Sequence, residues 1–256
     1  MRPKYVLFVF AAFFFMAADA QVNANDSLAL VDLYKSTTGK KWYHHDNWLT
    51  TQPVSGWYGI STTGNRVTTI SLGDNNLTGS IPESIGNLDA LKGLFMNRNF
   101  LSDTLSASLG RLTALESLNL ASCSNIHGTI PAAMGNLQSL TSLDLSDNYL
   151  TGSIPDSLFN CTQLNFLSLW DNRLTGGLSP LFAKLTRLAT LRLSYNLLSG
   201  WVKDIFAKEA PLVELDLGSN RLSGPFPGYL ARYTQLVTFI LGRNNFDGHI
   251  PAYMAT

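Results

Sequence analysis

Residues 140–163 read LTSLDLSDNYLTGSIPDSLFNCTQ, and nearly the same phrase begins again at Leu164. The phrase contains an L-x-L triplet at Leu143 and Leu145, an asparagine at Asn148, and an I-P step in its second half. Sliding this frame by about 24 residues in both directions covers roughly three quarters of the chain. The sequence is therefore a tandem repeat, and it predicts a solenoid.

Eight turns of the repeat follow one another without a gap. Numbered one to eight, they begin at Val67, Leu91, Leu115, Leu140, Leu164, Leu188, Leu212 and Leu236. The third turn is one residue longer than the others, between Cys123 and Ile126, where we expect a local bulge. A strand of two or three residues cannot bury its own leucines, so the copies must stack and share one core. Stacking predicts a parallel β-sheet along one side of the coil.

Asparagine recurs at the ninth position of the turn. It occupies that position at Asn75, Asn99, Asn148, Asn172, Asn196, Asn220 and Asn244. A coil that turns inward leaves main-chain groups without ladder partners, and a buried amide supplies both donors and an acceptor. We therefore expect a structural role for this column, with Cys123 as a small buried substitute in turn three. Cys123 and Cys161 fall on different sides of the coil, which predicts two free thiols because a disulfide needs α-carbons within about 7 Å.

The second half of the repeat carries a family resemblance. LTGSIPESIG at 77–86, HGTIPAAMG at 127–135 and LTGSIPDSLF at 150–159 resemble the leucine-rich repeats of plant receptor ectodomains and polygalacturonase-inhibiting proteins. The resemblance covers residues 67–256. It implies an α/β solenoid, a right-handed superhelix with an inner parallel β-sheet, and a second short sheet from the L-x-G-x-I-P half.

Three turns depart from that phrase. Asp103 and Ser106 replace the glycine and the proline in turn two, whereas Ser179 and Lys203 replace the proline in turns five and six. The sequence pattern that predicts the second sheet is weaker in these turns, whereas the pattern that predicts the inner sheet is unchanged.

The amino terminus has the parts of a secretory signal. Arg2 and Lys4 precede an apolar run, and an A-x-A cleavage site ends at Ala20. The run is about 14 residues long, which is shorter than the roughly 20 residues that span a bilayer. We predict a signal peptide over residues 1–20, no membrane span in the remaining chain, and a secreted or cell-surface (extracellular) location.

Residues 21–66 resemble the helical amino-terminal cap of extracellular leucine-rich-repeat proteins, although the cysteine pair usual in plant caps is absent. We expect Asn25 or Asp26 to begin a helix and Gly39 to end it. A hairpin at a Gly-Asn pair should then lead into Val67. Aromatic residues of the cap would cover the leucines of the first turn. The tryptophans available for this are Trp42, Trp48 and Trp57.

Three N-x-S/T sequons, at Asn25, Asn76 and Asn160, are predicted glycosylation sites in a eukaryotic host.

The repeat array ends within a turn. Residues 67–256 hold eight repeats of which the last is incomplete, since it has its strand and I-P step and then stops. We expect a partner or further turns to cover that end.

Composition and motifs argue against catalysis and against nucleic acid as a partner. The 18 basic and 18 acidic residues balance, and no basic stripe is present that would attract phosphates. The sequence His44-His45-Asp46 lacks the spacing of a zinc site. No G-x-S-x-G elbow, phosphate loop or kinase signature occurs. We predict no enzymatic activity, no metal and no cofactor.

Function is then expected at positions three, five, seven and eight of each turn, which point away from the core. Because adjacent strands lie about 4.8 Å apart, Trp170 and Tyr195 should be neighbours on this surface. Flat aromatic rings beside charged groups are typical of sites that bind proteins and sugars. The predicted ligand-binding residues are Asp144, Asp147, Phe166, Trp170, Asp171, Arg192 and Tyr195.

The leading hypothesis is a secreted, non-catalytic recognition module that binds an extracellular protein, peptide or glycan on the concave face of the solenoid. Two alternatives stay open. The first is an ectodomain fragment of a leucine-rich repeat receptor, such as a receptor kinase. The second, which the resemblance implies, is an inhibitor of secreted glycan-degrading enzymes.

Overall fold

The computed structural model describes residues 22–123 and 125–249, so the predicted signal peptide and Ser124, in the inserted stretch of turn three, lie outside the described residues. Within these ranges it has one α-helix, α1 (Ala24–Ser36). The strands in chain order are β1 (Ile60–Thr63), β2 (Arg66–Ser71), β3 (Thr78–Gly79), β4 (Gly93–Phe95), β5 (Phe100–Thr104), β6 (Ser117–Asn119), β7 (Asn125–Thr129), β8 (Ser142–Asp144), β9 (Tyr149–Gly152), β10 (Phe166–Ser168), β11 (Arg173–Leu174), β12 (Thr190–Arg192), β13 (Ser199–Trp201), β14 (Glu214–Asp216), β15 (Arg221–Pro225), β16 (Thr238–Ile240) and β17 (Asn245–Asp247).

The inner sheet confirms the predicted parallel stacking. It has nine strands in the order β1-β2-β4-β6-β8-β10-β12-β14-β16, and every pair is parallel except β1 with β2. Equivalent residues pair in register, so Leu167 lies opposite Leu143 on one side and Leu191 on the other. The predicted hairpin joins β1 to β2 through Gly64, whose φ of 58° suits a tight hairpin turn.

Leucine or another apolar residue occupies positions one, four, six and eleven of each turn, and these side chains form one continuous core. In turn four these are Leu140, Leu143, Leu145 and Leu150, and all four are fully buried. Burial of one leucine contributes about 1.5–3 kcal/mol. Because a single turn cannot cover its own leucines, that contribution depends on the turns stacked above and below.

The asparagine column ties successive turns together, which confirms its structural role. Asn172 donates from Nδ2 to the main-chain oxygens of Leu145 (3.0 Å) and Leu169 (3.2 Å). Its Oδ1 accepts a hydrogen bond from the Leu150 amide at 2.9 Å. One side chain therefore satisfies main-chain groups of its own turn and of the preceding turn.

The two cysteines are free and buried, as predicted. Cys123 donates from Sγ to the Met96 oxygen at 3.3 Å and so replaces one donor of the asparagine column. Cys161 makes an equivalent bond to the Met134 oxygen at 3.3 Å. Burial raises the pKa of Cys123 to about 12 and the pKa of Cys161 to about 11, because an apolar interior disfavours the thiolate.

The residue at position eight adopts a left-handed backbone in all eight turns. Its φ lies between 49° and 57° at Asp74, Arg98, Ser122, Asp147, Asp171, Tyr195, Ser219 and Arg243. This conformation reverses the chain just before the asparagine column. It costs most side chains about 1–2 kcal/mol, with Asp and Asn less affected.

The second sheet is split in two between turns five and six, which are two of the turns where the repeat phrase departs from its pattern. Strands β3, β5, β7, β9 and β11 form a five-stranded sheet, whereas β13, β15 and β17 form a separate one. Turn two keeps its strand because Asp103 adopts a φ of 88°, within the range of the glycines it replaces. Hydrogen bonds from Leu197 to Leu174 and from Ser199 to Gly176, both 2.8 Å, still link the main chain across the split.

Short 3-10 helices form the other side of most turns. They span Glu83–Asn87, Ala107–Arg111, Ala132–Asn136, Asp156–Asn160, Pro180–Lys184 and Gly228–Arg232. Where serine replaces the preceding proline, at Ser106 and Ser179, its oxygen accepts from the amide two residues on, at 3.0 and 3.3 Å. These serines act as N-caps. Lys203 has no side-chain acceptor for this role, and turn six has no 3-10 helix among its described residues.

The cap helix begins at a different residue from the one expected. Asn23 is its N-cap and accepts from the Asn25 amide at 2.8 Å. Asp26 is fully buried and instead binds the Arg66 guanidinium (3.1 Å) and the Val67 amide (2.8 Å). A buried carboxylate is tolerated when it is paired in this way, so Asp26 attaches the cap to the first turn.

An aromatic cluster fills the space between the cap helix and the first turn. Successive rings lie 4.9–5.6 Å apart between centroids. The cluster consists of Tyr34, Trp42, Trp48 and Trp57. The helix ends at Ser36, before the expected Gly39. Gly39 lies against the Tyr34 ring, where a Cβ atom would come within 2.2 Å of it.

Candidate functional site

Side chains at positions three, five, seven and eight of the turns lie on one surface of the inner sheet, which we call the concave face. Alternation along each short strand sends the leucines into the core and these side chains to the opposite side. Strands β8, β10 and β12 thereby place Asp144, Phe166 and Arg192 on this face. The left-handed residue at position eight lies at the edge of the concave face and turns the main chain away from it.

Trp170 and Tyr195 are neighbours, as the strand spacing predicts. Their ring centroids are 6.0 Å apart and their planes meet at 72°, an edge-to-face arrangement. Tyr195 is 48% exposed and Trp170 is partly buried. The pair therefore offers apolar surface to a ligand while each ring supports the other.

Arg192 is held by residues of the protein. Its Nε and Nη2 atoms donate to the two oxygens of Glu214, both at 2.8 Å, and its Cζ lies 5.6 Å from the centre of the Phe166 ring. Glu214 raises the pKa of Arg192 further above its ordinary value. Arg192 thus orders the face and is not a free cation. The sequence prediction omitted Glu214, although it is carried by the strand next to that of Arg192.

The predicted carboxylates differ in their surroundings. Asp144 accepts from the amide and the hydroxyl of Ser146 at 3.1 and 2.6 Å. Asp147 and Asp171 are exposed at position eight of adjacent turns. Neither carboxylate has a hydrogen bond or ion pair with any described residue, so both are available to a ligand.

A shallow depression lies beside these two carboxylates. It is lined by Ser122, Asp147, Asn148, Tyr149 and Asp171. One of these residues, Tyr149, is contacted by Arg173, whose Cζ lies 4.6 Å from the centre of the Tyr149 ring. The sequence prediction missed Tyr149 and Arg173. On the second sheet Arg173 pairs with Thr151, two residues beyond Tyr149, so their shared position ten in adjacent turns did not by itself reveal the contact.

The three sequons lie in different surroundings. Asn25 and Asn160 are exposed, whereas the Nδ2 atom of Asn76 donates to the Lys41 oxygen at 2.7 Å. Glycosylation at each remains a prediction.

The described residues hold no arrangement suited to a metal ion. In the ranges 22–123 and 125–249, no three His, Cys, Asp or Glu side chains are grouped as metal ligands. His44 stacks on Tyr58 with centroids 5.0 Å apart, and His45 contacts the Trp42 oxygen through Nδ1. The same ranges contain no helix of sufficient length and apolarity to traverse a bilayer.

Comparison with known families agrees with the fold. A family model described as "Leucine rich repeat" matches residues 113–174, and a second of the same description matches residues 66–88 and 211–232. Together with the stacked L-x-L strands and the asparagine column, these matches identify the chain as a leucine-rich repeat protein with plant-type repeats of the extracellular class.

Three relatives illustrate the range of similar proteins. The chain is 38% identical over 95 residues to receptor-like kinase TMK4 of Arabidopsis thaliana, which is 37% of this chain and 10% of the kinase. The solved structure of plant peptide hormone receptor RGFR1 in complex with RGF2 is 31% identical, with a TM-score of 0.62, over 71% of this chain and 33% of that chain. A plant ice-binding protein structure is 28% identical, with a TM-score of 0.62, over 91% of this chain and 90% of that one. The chain thus spans a third or less of these two receptor relatives.

Proposed function

We propose that this chain is a secreted, non-catalytic recognition module that binds an extracellular peptide, or a peptide segment of an extracellular protein, on the concave face of turns four to six. The observation that carries the proposal is the edge-to-face pair of the partly buried Trp170 and the exposed Tyr195. Next to it lie Asp147 and Asp171, whose carboxylates have no hydrogen bond or ion pair with a described residue. A similar ectodomain structure, that of a plant peptide hormone receptor in complex with RGF2, favours a peptide over a glycan.

The physical basis is the energy that such residues contribute at interfaces. Tryptophan and tyrosine bury large areas with few rotatable bonds, and their truncation commonly costs 2 kcal/mol or more. Here contacts within the protein hold these side chains in place before binding, because Trp170 packs on Tyr195 and Arg192 is fixed between Glu214 and Phe166. Preorganisation of this kind lowers the entropy cost of association.

The test is binding of the secreted chain to a random-peptide library and to a panel of secreted proteins, glycan-degrading enzymes and glycans. Trp170→Ala and Tyr195→Ala should each weaken binding by about 30-fold or more, which corresponds to about 2 kcal/mol. Trp201→Ala is the matched control, because Trp201 is 62% exposed but lies on the separate three-stranded sheet. Equal affinity of all three variants and the parent chain would refute the proposed face.

Ice binding is a second candidate function, supported by a separate observation. The five-stranded sheet carries hydroxyl side chains at repeating positions, and adjacent strands are about 4.8 Å apart. These residues include Thr78, Ser102, Thr104, Thr129 and Thr151. The ice-binding neighbour matches nearly the whole length of both chains. Inhibition of ice recrystallisation that is lost in Thr104→Asp/Thr129→Asp would support this function, and absence of inhibition by the parent chain would reject it.

A further inference from the structure

Trp201 lies with one face of its ring against the three-stranded sheet of turns six to eight. A Cβ atom placed on Gly224 would be 2.8, 2.9 and 3.0 Å from the Cγ, Cδ1 and Cδ2 atoms of Trp201. A point at nearly the same distance from three adjacent ring atoms lies above the ring and not beside it, so the indole covers Gly224. Gly224 is accordingly buried, whereas Trp201 is 62% exposed. The opposite face of the indole is therefore open to solvent.

The repeat explains the orientation of this ring. In earlier turns the side chain at position fourteen packs against the glycine of the next turn. A Cβ atom on Gly128 would meet Cγ2 of Thr104 at 2.8 Å, and one on Gly152 would meet Cγ2 of Thr129 at 2.9 Å. Turn six has Trp201 at the position where these turns have threonine. The backbone thus orients the indole before any ligand binds, which lowers the entropy cost of binding.

The indole N–H of Trp201 is also free. The three tryptophans of the cap donate theirs to main-chain oxygens at 2.9, 3.0 and 3.2 Å. The Nε1 atom of Trp201 makes no hydrogen bond with a described residue, and no aromatic ring or cation of the described ranges stacks on its open face. Both the face and the donor are therefore available to a ligand.

Polar side chains surround the ring. Strand pairing places Ser223 opposite Trp201, and Asn245 opposite Ser223. Ser199 precedes Trp201 by two residues on β13, and Arg221 lies opposite Ser199. These four side chains are exposed or partly exposed, and none has a side-chain hydrogen bond or ion pair with a described residue. They supply a guanidinium, an amide and two hydroxyls, and so offer both donors and acceptors. We call these four residues and Trp201 the Trp201 surface.

This combination matches a sugar ring better than a protein partner. One side of a pyranose presents C–H groups, which the negative face of an aromatic ring attracts. Its hydroxyls both donate and accept hydrogen bonds, as the neighbours of Trp201 do. The core of a protein interface is instead apolar and depleted in charged residues. Arg221 additionally disfavours a cationic ligand.

We propose that the Trp201 surface binds a pyranose ring of a polysaccharide. The sugar stacks on the open face of the indole, and its hydroxyls bond to the surrounding polar side chains. This surface is carried by β13, β15 and β17, whereas the proposed peptide site is carried by the inner sheet. The inference therefore goes beyond the proposed function and does not depend on it.

The experiment measures binding of the secreted chain to a soluble β-glucan, a galactomannan and polygalacturonate by affinity gel electrophoresis. At least one of these polysaccharides should retard the parent chain. Trp201→Ala should weaken that binding by at least about tenfold, as expected for a tryptophan that anchors a ligand. Trp201→Phe should retain part of the affinity, because a smaller flat ring remains. Trp170→Ala is the matched control, since it removes a tryptophan from the concave face and should leave polysaccharide binding unchanged.

Iodide quenching of fluorescence tests where the sugar lies. Trp201 is the most exposed of the five tryptophans, so bound polysaccharide should protect the fraction of the emission that iodide quenches. Gly224→Ala should weaken binding more than Gly200→Ala. Both glycines have a φ of 85–86°, but only at Gly224 would the added Cβ displace the indole.

Equal binding by the parent chain and Trp201→Ala, or no retardation by any of the three polysaccharides, would overturn the inference. Loss of binding in Trp170→Ala but not in Trp201→Ala would place the sugar on the concave face and overturn it as well. Peptide binding that requires Trp170 is measured separately, so failure of the Trp201 surface and failure of the proposed function are distinguishable.

Discussion

Replacing Asn172 with alanine should show how much one member of the asparagine column contributes to stability. Asn172 is 7% exposed and makes hydrogen bonds within its own turn and to the preceding turn. The Leu150 amide loses its acceptor in this variant. The Leu145 and Leu169 oxygens each lose one donor but keep another, from Asn148 (3.1 Å) and Asn196 (2.8 Å).

The size of the destabilisation follows from the difference between the amide, which loses its acceptor, and the two oxygens, which each keep a donor. A buried amide left without an acceptor costs about 1–3 kcal/mol, and each of the two lost carbonyl bonds costs about 0.5–1.5 kcal/mol. The expected loss in the free energy of unfolding is therefore about 2–6 kcal/mol. For a chain of this size, each kcal/mol lowers Tm by about 2–4 °C.

Urea unfolding followed by circular dichroism measures this loss, with Asn165→Ala as the matched control. Asn165 is exposed and makes one side-chain hydrogen bond, to the Arg187 oxygen at 3.2 Å, so its replacement should change stability by less than about 0.5 kcal/mol. If Asn172→Ala were destabilised by no more than Asn165→Ala, the column would not stabilise the solenoid through hydrogen bonds, and our account of it would be refuted.

Three further predictions concern the backbone and the thiols. Asp103→Gly should raise the free energy of unfolding by about 0.5–1 kcal/mol because it removes left-handed strain at a φ of 88°; a loss of stability in urea would contradict this. Gly79→Ala should lower Tm more than Gly200→Ala, since both have positive φ but only at Gly79 would a Cβ meet a main-chain oxygen, at 2.2 Å; equal shifts in thermal unfolding would exclude the clash. Stability should fall as pH rises above about 9, because the folded state retains the protons of Cys123 and Cys161 that the unfolded chain releases. Urea unfolding at pH 8, 9 and 10 should show a smaller fall in Cys123→Ala/Cys161→Ala, and an unchanged fall would exclude the thiols as its source.

Periodicity explains which parts of the fold the sequence predicts. Leucines and asparagines recur at fixed positions because every turn has the same core, so their roles follow from one copy of the repeat. The left-handed backbone at position eight is not visible in the same way. It is adopted by residues as different as Asp147, Arg98 and Tyr195, because the chain path imposes it and the side chain does not select it.

Features decided by distant contacts were not accessible from local sequence. Asn23, Asn25 and Asp26 all have side chains that can cap a helix. The choice among them depends on Arg66, which is far along the chain and binds Asp26. Likewise, the departures from the repeat phrase did not reveal that serine can replace proline by capping, as Ser179 does, whereas Lys203 cannot.

The candidate site likewise has features that the sequence predicts and features that it does not. The adjacency of Trp170 and Tyr195 follows from strand spacing alone, since each turn adds one strand to the sheet. The free or occupied state of a charged group does not follow from spacing, because it depends on rotamers. Arg192 was therefore expected to contact a ligand, whereas the structure pairs it with Glu214.

Tyr195 connects the fold to the proposed function. A bulky aromatic residue is unfavourable in the left-handed region, and the cost is of the order of 1–2 kcal/mol. Core packing does not offset this cost, because the side chain is 48% exposed and its ring contact is with Trp170. Aspartate, which tolerates this conformation better, occupies the equivalent position in turns four and five. The chain path imposes the same conformation in every turn, so the strain alone does not mark a site; what favours a ligand contact is an exposed aromatic ring at this position, supported by the neighbouring Trp170 ring. This reasoning, independent of any relative, supports a ligand contact at Tyr195.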